Sequence, residues 1–186
     1  MSDSKAKTIK YFGFGTNRDL DMMTHMIGRA NISGEPAKLM GYELCIQRGK
    51  QFRNEIPKTS PLDISPRTLI VSAWGPEFEM YVSRPNPDGV IYGTIWDITP
   101  EEFELTREWE MVDYGAQEDA KGIAINSKGE IIEVITQSFL NPPIPEIDRV
   151  VTEENYEPYI ASKEAMLKRA GEVRLQYLDL KKKTAK

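Results

Sequence analysis

Cysteine and histidine are nearly absent from this chain of 186 residues, which has one of each. The lone cysteine, Cys45, can form no disulfide within the chain and excludes a cysteine-rich metal site. It lies in an apolar stretch, residues 44–46, where we expect a buried structural thiol in place of a nucleophile. His25 falls opposite the apolar face of a predicted helix and is expected at the surface. Catalysis by either residue is therefore disfavoured.

Long apolar runs are also missing. No run approaches the roughly 20 residues that cross a bilayer, and the N-terminal sequence MSDSKAKTIK lacks the apolar core of a signal peptide. We therefore expect a soluble cytoplasmic protein without a membrane partner. The net charge of −5 argues against nucleic acid as the main partner. The lysine-rich residues 181–186 are expected to form a solvated basic tail.

The length fits one domain, which we place over residues 1–186 with a core from about residue 8 to residue 180. Strand patterns outnumber helix patterns and show no regular βαβ alternation, so the sequence predicts an α+β domain with a curled sheet or barrel. Residues 84–89 predict a turn and residues 49–66 a long loop. The predicted strands are 8–13, 42–47, 68–74, 78–83, 90–97, 123–126 and 130–139, and the predicted helices are 19–29, 99–111 and 157–180.

The second of these helices carries the carboxylates of interest. Residues 99–102 have the pattern of a capping box with proline at the first helical position, and the helix is expected to run to about Met111. Glu110 shares a helix face with Phe103 and could be partly buried, whereas Glu108 flanks a second apolar stripe. Periodicity alone therefore leaves both Glu108 and Glu110 as candidates.

A glycine-rich segment from Gly13 to Asn17 joins the first strand to the first helix. Such a turn can direct several backbone N–H groups at one anion at the positive end of a helix. Glycine in a tight turn also has a purely steric explanation. The segment lacks the third glycine of a dinucleotide-binding loop and the lysine of a P-loop, so it does not indicate nucleotide binding.

Four segments, in this order, resemble the gamma-glutamylcyclotransferase-like superfamily. Residues 11–17, YFGFGTN, resemble its opening Tyr-Gly-Ser-Asn signature, and residues 37–44, AKLMGYEL, are similar to its Ala-x-Leu-x-Gly-Tyr-x-Leu strand. Residues 89–96, GVIYGTIW, resemble a later Gly-Val-x-Tyr strand. Residues 103–110, followed by Tyr114, resemble a helix that ends in an aromatic-Glu pair. Residues 168–172 and 177–180 also fit its closing helix, and the order and spacing agree from about residue 9 to residue 180.

The resemblance implies a small mixed β-barrel with flanking helices and a cavity. It implies that the α-amine of a γ-glutamyl group attacks its own γ-carbonyl, which releases 5-oxoproline and an amine or amino acid. The general acid and base would be Glu110, and neither metal nor cofactor is needed. The residues that would bind the small-molecule substrate are Phe14, Gly15, Thr16, Asn17, Arg18 and Tyr114.

Four positions depart from the pattern of the superfamily. Thr16 stands where serine is usual, Phe14 where tyrosine is usual, and Arg18 where the residue is usually small or apolar. Met111 follows the glutamate at a position that is often glycine, so the backbone there could differ. These departures leave the fold expectation intact and leave the substrate open.

A different enzyme on the same scaffold and a binding protein without catalysis also fit these residues. Glu110 could activate water for amide hydrolysis, or the leaving group could be a carrier-bound acyl chain. The cavity could also bind an acidic metabolite without catalysis. Residues 49–66, with Arg48, Arg53 and Arg67 nearby, could form either a substrate-selecting lid or a solvated loop. The sequence does not indicate an oligomeric state.

Overall fold

The computed structural model describes residues 7–185, and its six β-strands form one sheet in the order β3-β1-β5-β4-β2-β6. Strand β2 also pairs with β3, so five strands close into a barrel and β6 extends the sheet beside β2. β1 runs parallel to β5 and antiparallel to β3, which makes the barrel mixed. The predicted α+β fold with a small mixed β-barrel is therefore confirmed. The strands are Ile9–Gly13 (β1), Gly34–Arg48 (β2), Glu79–Ile98 (β3), Glu118–Asn126 (β4), Ile131–Ser138 (β5) and Arg149–Val151 (β6).

Four α-helices flank the barrel, and short polar side chains cap their N-termini. The capping box predicted at 99–102 is present, because Thr99 and Glu102 exchange side chain to backbone hydrogen bonds. In residues 7–185 we find no helix with both the length and the apolar character that a bilayer crossing needs. The helices are Leu20–Ile27 (α1), Pro66–Trp74 (α2), Pro100–Trp109 (α3) and Lys163–Thr184 (α4), with 3₁₀ turns at Gly15–Arg18 and Gly49–Gln51.

Buried side chains form three apolar clusters. The first joins α1, α3 and α4 to one side of the barrel around Tyr11 and Trp96. The second fills the barrel, and the third packs α2 and the loop before it against β2 and β3. Cys45 belongs to the third cluster, where burial raises the pKa of its thiol to about 11, as expected for a structural thiol. His25 is exposed, as predicted.

The strand predicted at residues 68–74 is wrong, because this segment forms helix α2. Its β-branched and apolar residues favour a strand when they are considered alone. Ser65 caps the helix by accepting a hydrogen bond from the Thr68 N–H, and Pro66 occupies the first helical turn. These two signals at the N-terminus outweigh the strand preference of a short apolar run.

The turn predicted at residues 84–89 is also wrong, since β3 continues from Glu79 to Ile98. Pro85 pairs with Tyr42 and Val90 pairs with Met40, so residues 86–89 lie opposite Gly41 alone. The proline- and glycine-rich sequence therefore makes an irregularity within one long strand. Such bulges bend a strand and raise its twist, which helps the sheet to close.

Helix α4 begins later and ends later than predicted. Ser162 is its N-cap, so residues 157–162 are not helical. The lysines of the predicted basic tail, Lys181 to Lys183, lie in the last turn of the helix and are exposed. The short strand β6 was not predicted.

Gly93 allows β1 and β3 to approach closely at the point where the chain enters the glycine-rich loop. A methyl group on Gly93 would overlap the carbonyl oxygen of Gly13 and the ring of Phe12. Gly171, in α4, has open space where a methyl group would lie. A methyl group would therefore clash at Gly93 and fit at Gly171.

We expect Gly93→Ala to lower the free energy of unfolding by about 1–3 kcal/mol, because the strands must separate to admit the methyl group. Gly171→Ala should raise it by about 0.5–1 kcal/mol through better helix propensity. Urea denaturation of both variants and the wild type measures these changes. A neutral Gly93→Ala variant would contradict the close approach of the strands.

Candidate active site

Glu110 ends helix α3 and is held by two amide side chains. The Asn17 Nδ2 donates to Glu110 Oε1 over 2.7 Å, and the Gln117 Nε2 donates to Oε2 over 3.0 Å. Within residues 7–185, Glu110 forms no ion pair with a lysine or arginine. Its charge is therefore balanced only by neutral donors.

A buried network holds Asn17 in place. Its Nδ2 also donates to the Tyr11 hydroxyl over 2.8 Å, and that hydroxyl donates to Gln137 Oε1 over 3.0 Å. The indole N–H of Trp96, on β3, donates to the backbone oxygen of Asn17 over 2.8 Å. Three strands thus fix the position of the amide that contacts Glu110.

Gln117 is less completely bonded than Asn17. It lies just before β4 and is buried. Its Oε1 has no hydrogen-bond partner in the part of the chain that the structure describes. A buried acceptor without a partner costs free energy, so this oxygen makes the folded protein less stable than full hydrogen bonding would.

Burial raises the pKa of the Glu110 carboxyl from its ordinary value of 4.5 to about 7, and the hydrogen bond from Asn17 opposes this rise. Burial, and then the charge of Glu110, raise the pKa of Tyr11 well above its usual range. Tyr11 therefore remains a hydroxyl donor at neutral pH. A carboxyl with a pKa near 7 can both accept and donate a proton at neutral pH.

The Glu110 residue lines a cavity of about 40 Å³. Phe14 and Thr16, from the glycine-rich loop, and Trp109, from α3, contribute to its wall. The other lining residues come from the start of β3, the segment before α4 and α4 itself: Phe78, Glu79, Met80, Tyr81, Pro158, Ile160, Ala161 and Met166. Since a water molecule needs about 10–15 Å³ measured in this way, the cavity holds a few waters at most.

The glycine-rich loop uses some of its own N–H groups. Gly15 has φ +57°, a conformation that favours glycine. Its N–H donates to the Tyr156 hydroxyl over 2.9 Å, and the Asn17 N–H donates to Phe14 O over 3.0 Å. The predicted set of N–H donors for an anion is therefore partly occupied within the protein.

The structure brings some of the predicted site residues together and separates others. Phe14, Thr16 and Asn17 meet Glu110 directly or across the cavity. Arg18 turns away, where its guanidinium lies 4.3 Å from the centre of the Tyr156 ring and donates to Glu154 O. It lines a separate surface cavity.

Tyr114 and Glu108 also lie away from this cavity. Both line a second cavity, which Trp109 also borders. Burial, followed by the charge of Asp113, raises the pKa of Glu108. Of the two candidate carboxylates, only Glu110 contacts the glycine-rich loop.

The loop at residues 49–66 is irregular after its 3₁₀ turn, as predicted. Arg53 donates to the carbonyl oxygens of Asn141 and Pro143, and Arg67 donates to Phe52 O. Arg48 forms ion pairs with carboxylates, one of them Glu77. These three arginines are therefore engaged within the protein, while Leu62 of the loop lines the second cavity.

Four residues of the site were not identified from the sequence: Tyr11, Gln117, Gln137 and Tyr156. Tyr11 carried a signal, since strand alternation places it on the same side of β1 as Gly13. Gln137 and Tyr156 come from distant segments, and Gln117, only seven positions after Glu110, lies beyond the end of the helix pattern, so none of the three carries a local signal. Among residues 7–185 we find no group of three or more His, Cys, Asp or Glu side chains arranged to hold a metal ion.

Solved structures share this fold. A gamma-glutamyl cyclotransferase superposes with a TM-score of 0.56 and 12% identity, over 95% of this chain and 86% of that chain. The human "uncharacterized protein loc79017" superposes with a TM-score of 0.51 and 14% identity, over 75% of this chain and 69% of that chain. No family model and no curated protein matches the sequence. The chain therefore has the gamma-glutamylcyclotransferase-like fold that its motifs predict.

We expect the carboxyl of Glu110 to titrate near pH 7, because burial opposes its charge. Carbon NMR of glutamate-labelled protein measures this, with Glu110→Gln to assign the signal. Asn17→Ala should move the titration to higher pH, since the hydrogen bond from Asn17 favours the charged form. Asn155→Ala, an exposed asparagine, is the matched control. Titration near the ordinary value of 4.5 would refute this description of the site.

The same pKa makes folding depend on pH. The folded protein binds a proton at Glu110 more tightly than the unfolded chain does, so this contribution to stability is complete below about pH 4.5 and is lost as the pH rises through about 7. Glutamine does not titrate, so Glu110→Gln does not lose this contribution. Its free energy of unfolding relative to that of the wild type should therefore increase as the pH rises from about 4.5 to about 7. Urea denaturation across the interval measures the difference, with the exposed Glu101→Gln of the same helix as control. A difference that does not vary with pH would contradict it.

Proposed function

We propose that the chain is an enzyme of the gamma-glutamyl cyclotransferase type. The observation that carries this proposal is the Glu110 carboxylate, which lies beside the glycine-rich loop, bonds only neutral amides and has a pKa near 7. A neighbour of the same fold is a gamma-glutamyl cyclotransferase. Because fold alone does not fix function, the residues of the site carry the argument.

The proposed reaction is an internal aminolysis. The α-amino nitrogen of a γ-glutamyl amide attacks the γ-carbonyl carbon, and the amide bond to the leaving nitrogen breaks. The products are 5-oxoproline and a free amine or amino acid. Both reacting groups belong to one molecule, so the enzyme gains chiefly by folding the substrate into the cyclising conformer.

Glu110 would carry out the proton transfers of this reaction, first as a general base and then as a general acid. An ammonium group has no lone pair, so a base must take a proton from the α-nitrogen before or during attack. The leaving nitrogen must gain a proton as its bond to carbon breaks. Glu110 would take the first proton and return it to the leaving nitrogen, while the remaining proton exchanges with solvent. A pKa near the working pH suits a group that performs both transfers.

The loop would bind and orient the charged end of the substrate. The N–H groups of Gly15 and Asn17 already have partners, and the Thr16 hydroxyl donates to Asn17 Oδ1 over 3.4 Å. The backbone N–H of Thr16, on the cavity wall, would then be the loop donor for the substrate. Asn17 would act through Glu110 as a positioning residue. Donors directed at the developing oxyanion stabilise such a step strongly.

Substrate entry would require the cavity to widen, because about 40 Å³ holds only a few waters. Its wall includes Pro158, Ile160 and Ala161, which lie in the non-helical segment before α4. This segment carries fewer backbone hydrogen bonds than a helix or strand. We expect its displacement to open the site.

The decisive assay is mass spectrometry of the purified protein with a panel of γ-glutamyl amino acids, γ-glutamyl amines and glutathione. We expect 5-oxoproline from the wild type and a decrease in kcat/KM of about 100-fold or more in Glu110→Gln, as is typical when a general acid and base is lost. The exposed Glu101→Gln, of the same helix, should keep its activity.

Other outcomes identify the alternatives. Release of glutamate in place of 5-oxoproline would indicate a hydrolase in which Glu110 activates water. A large loss in Glu108→Gln with none in Glu110→Gln would assign the proton transfers to Glu108. If no compound turns over while one of them still raises the melting temperature, the chain is a binding protein and the proposed reaction is wrong.

A further inference from the structure

A second cavity lies directly beside the first. Its volume is about 210 Å³, several times that of the cavity at Glu110. The two share four wall residues: Phe78, Met80, Trp109 and Met166. Trp109 immediately precedes Glu110 and borders both cavities, so the second cavity begins within one residue of the candidate carboxylate.

Apolar side chains make up most of the second cavity. Helix α2 contributes Leu69, Ile70, Ala73 and Trp74, and α4 contributes Val173. Three ionisable residues, Glu108, Tyr114 and Arg169, also line it. Arg169 donates to Glu172 over 3.2 Å, and burial favours the uncharged form of Glu108. The cavity therefore offers a mainly apolar surface, with its two charged residues at positions that α3 and α4 contribute.

Met111 adds to this surface at a cost in backbone energy. Its φ is +53°, in the left-handed region that residues other than glycine rarely adopt. The methionine side chain lines the second cavity and packs against the third apolar cluster. Strained residues persist only where the surrounding structure holds them, and they concentrate near functional sites.

The two ends of a γ-glutamyl substrate differ sharply in polarity. The glutamyl end carries an ammonium and a carboxylate, which an apolar cavity would desolvate without compensation. Only the substituent on the leaving nitrogen can be apolar. We propose that the second cavity receives an apolar aryl or alkyl substituent of the leaving amine, an inference that rests on the proposed cyclotransferase activity.

The volume sets the size of that substituent. An apolar cavity of about 150 Å³ is large enough to bind benzene. A cavity of about 210 Å³ therefore accommodates a phenyl ring with a short linker. The substrate class is thus γ-glutamyl derivatives of bulky apolar amines, in preference to small ones.

Two amides test this class: γ-glutamyl-phenethylamide and γ-glutamyl-methylamide, which share the reacting atoms and differ in the apolar substituent. We expect kcat/KM for the phenethylamide to exceed that for the methylamide by about 10-fold or more, in line with the discrimination that apolar pockets provide. The yield of 5-oxoproline is the readout.

Filling the second cavity should remove most of the preference for the phenethylamide over the methylamide. Ala73 lines the cavity from an exposed position on α2, so Ala73→Phe adds bulk at its wall without a clash in the core. Its matched control is Ser72→Phe, the same residue introduced at the exposed neighbouring position outside the cavity. We expect Ala73→Phe to reduce the preference to about 3-fold or less, with methylamide turnover within about 2-fold of wild type, and Ser72→Phe to retain the preference.

The outcomes separate this inference from the proposed function. If both amides yield 5-oxoproline at equal efficiency in all three proteins, the cavity does not take the substituent, although the cyclotransferase proposal stands. If neither amide yields 5-oxoproline, and no compound of the γ-glutamyl panel does so either, the proposed function fails. Calorimetry with γ-glutamyl-phenethylamide then tests the cavity alone: weaker binding to Ala73→Phe than to the wild type and Ser72→Phe supports it, and equal binding to all three overturns it.

Discussion

A partly buried carboxylate that accepts hydrogen bonds from neutral donors is the constraint on which the rest of the site depends. An isolated charge in an apolar setting is costly, and without a cation nearby the group either accepts hydrogen bonds or takes up a proton. Asn17 and Gln117 supply one bond to each oxygen of Glu110. These bonds offset part of the cost of burial, so the carboxyl is balanced between its two protonation states near neutral pH.

The closed barrel brings together the three chain segments that carry Asn17, Gln117 and Glu110. Asn17 follows β1, Gln117 precedes β4 and Glu110 ends α3. β1 and β4 both pair with β5, so the two amides project from neighbouring parts of one closed sheet. The long strand β3 anchors the loop through Trp96 and also begins the wall of both cavities at Met80. A change in strand register would therefore misplace donors and walls together.

What the sequence predicts well is local. The capping box at 99–102 fixes the start of α3, and helical periodicity then places Glu110 beside Phe103 and half-buried. The glycine-rich turn after the first strand has the same local character. In these segments the contacts that determine the structure join residues within a few positions of one another, so the sequence pattern is enough to predict the local structure.

Long-range contacts could not be predicted in this way. Gln137 reaches the site only because β5 pairs in parallel with β1, across 126 positions from Tyr11. Tyr156 meets Gly15 across 141 positions. Helix α2 is a different failure, since its cap at Ser65 was visible but the β-branched residues that follow favoured a strand. The bulge opposite Gly41 likewise needs the partner strand to distinguish it from a turn.

The side-chain oxygen of Gln117 affects how the protonated form of Glu110 can be hydrogen-bonded. While Glu110 is ionised, the amide presents its nitrogen to the carboxylate, and its oxygen has no partner within residues 7–185. When Glu110 gains a proton, the carboxylic acid becomes a donor and needs an acceptor. A half-turn of the Gln117 amide group supplies that acceptor without moving the backbone. The Gln117 side chain can thus form a hydrogen bond with either protonation state of the Glu110 carboxyl.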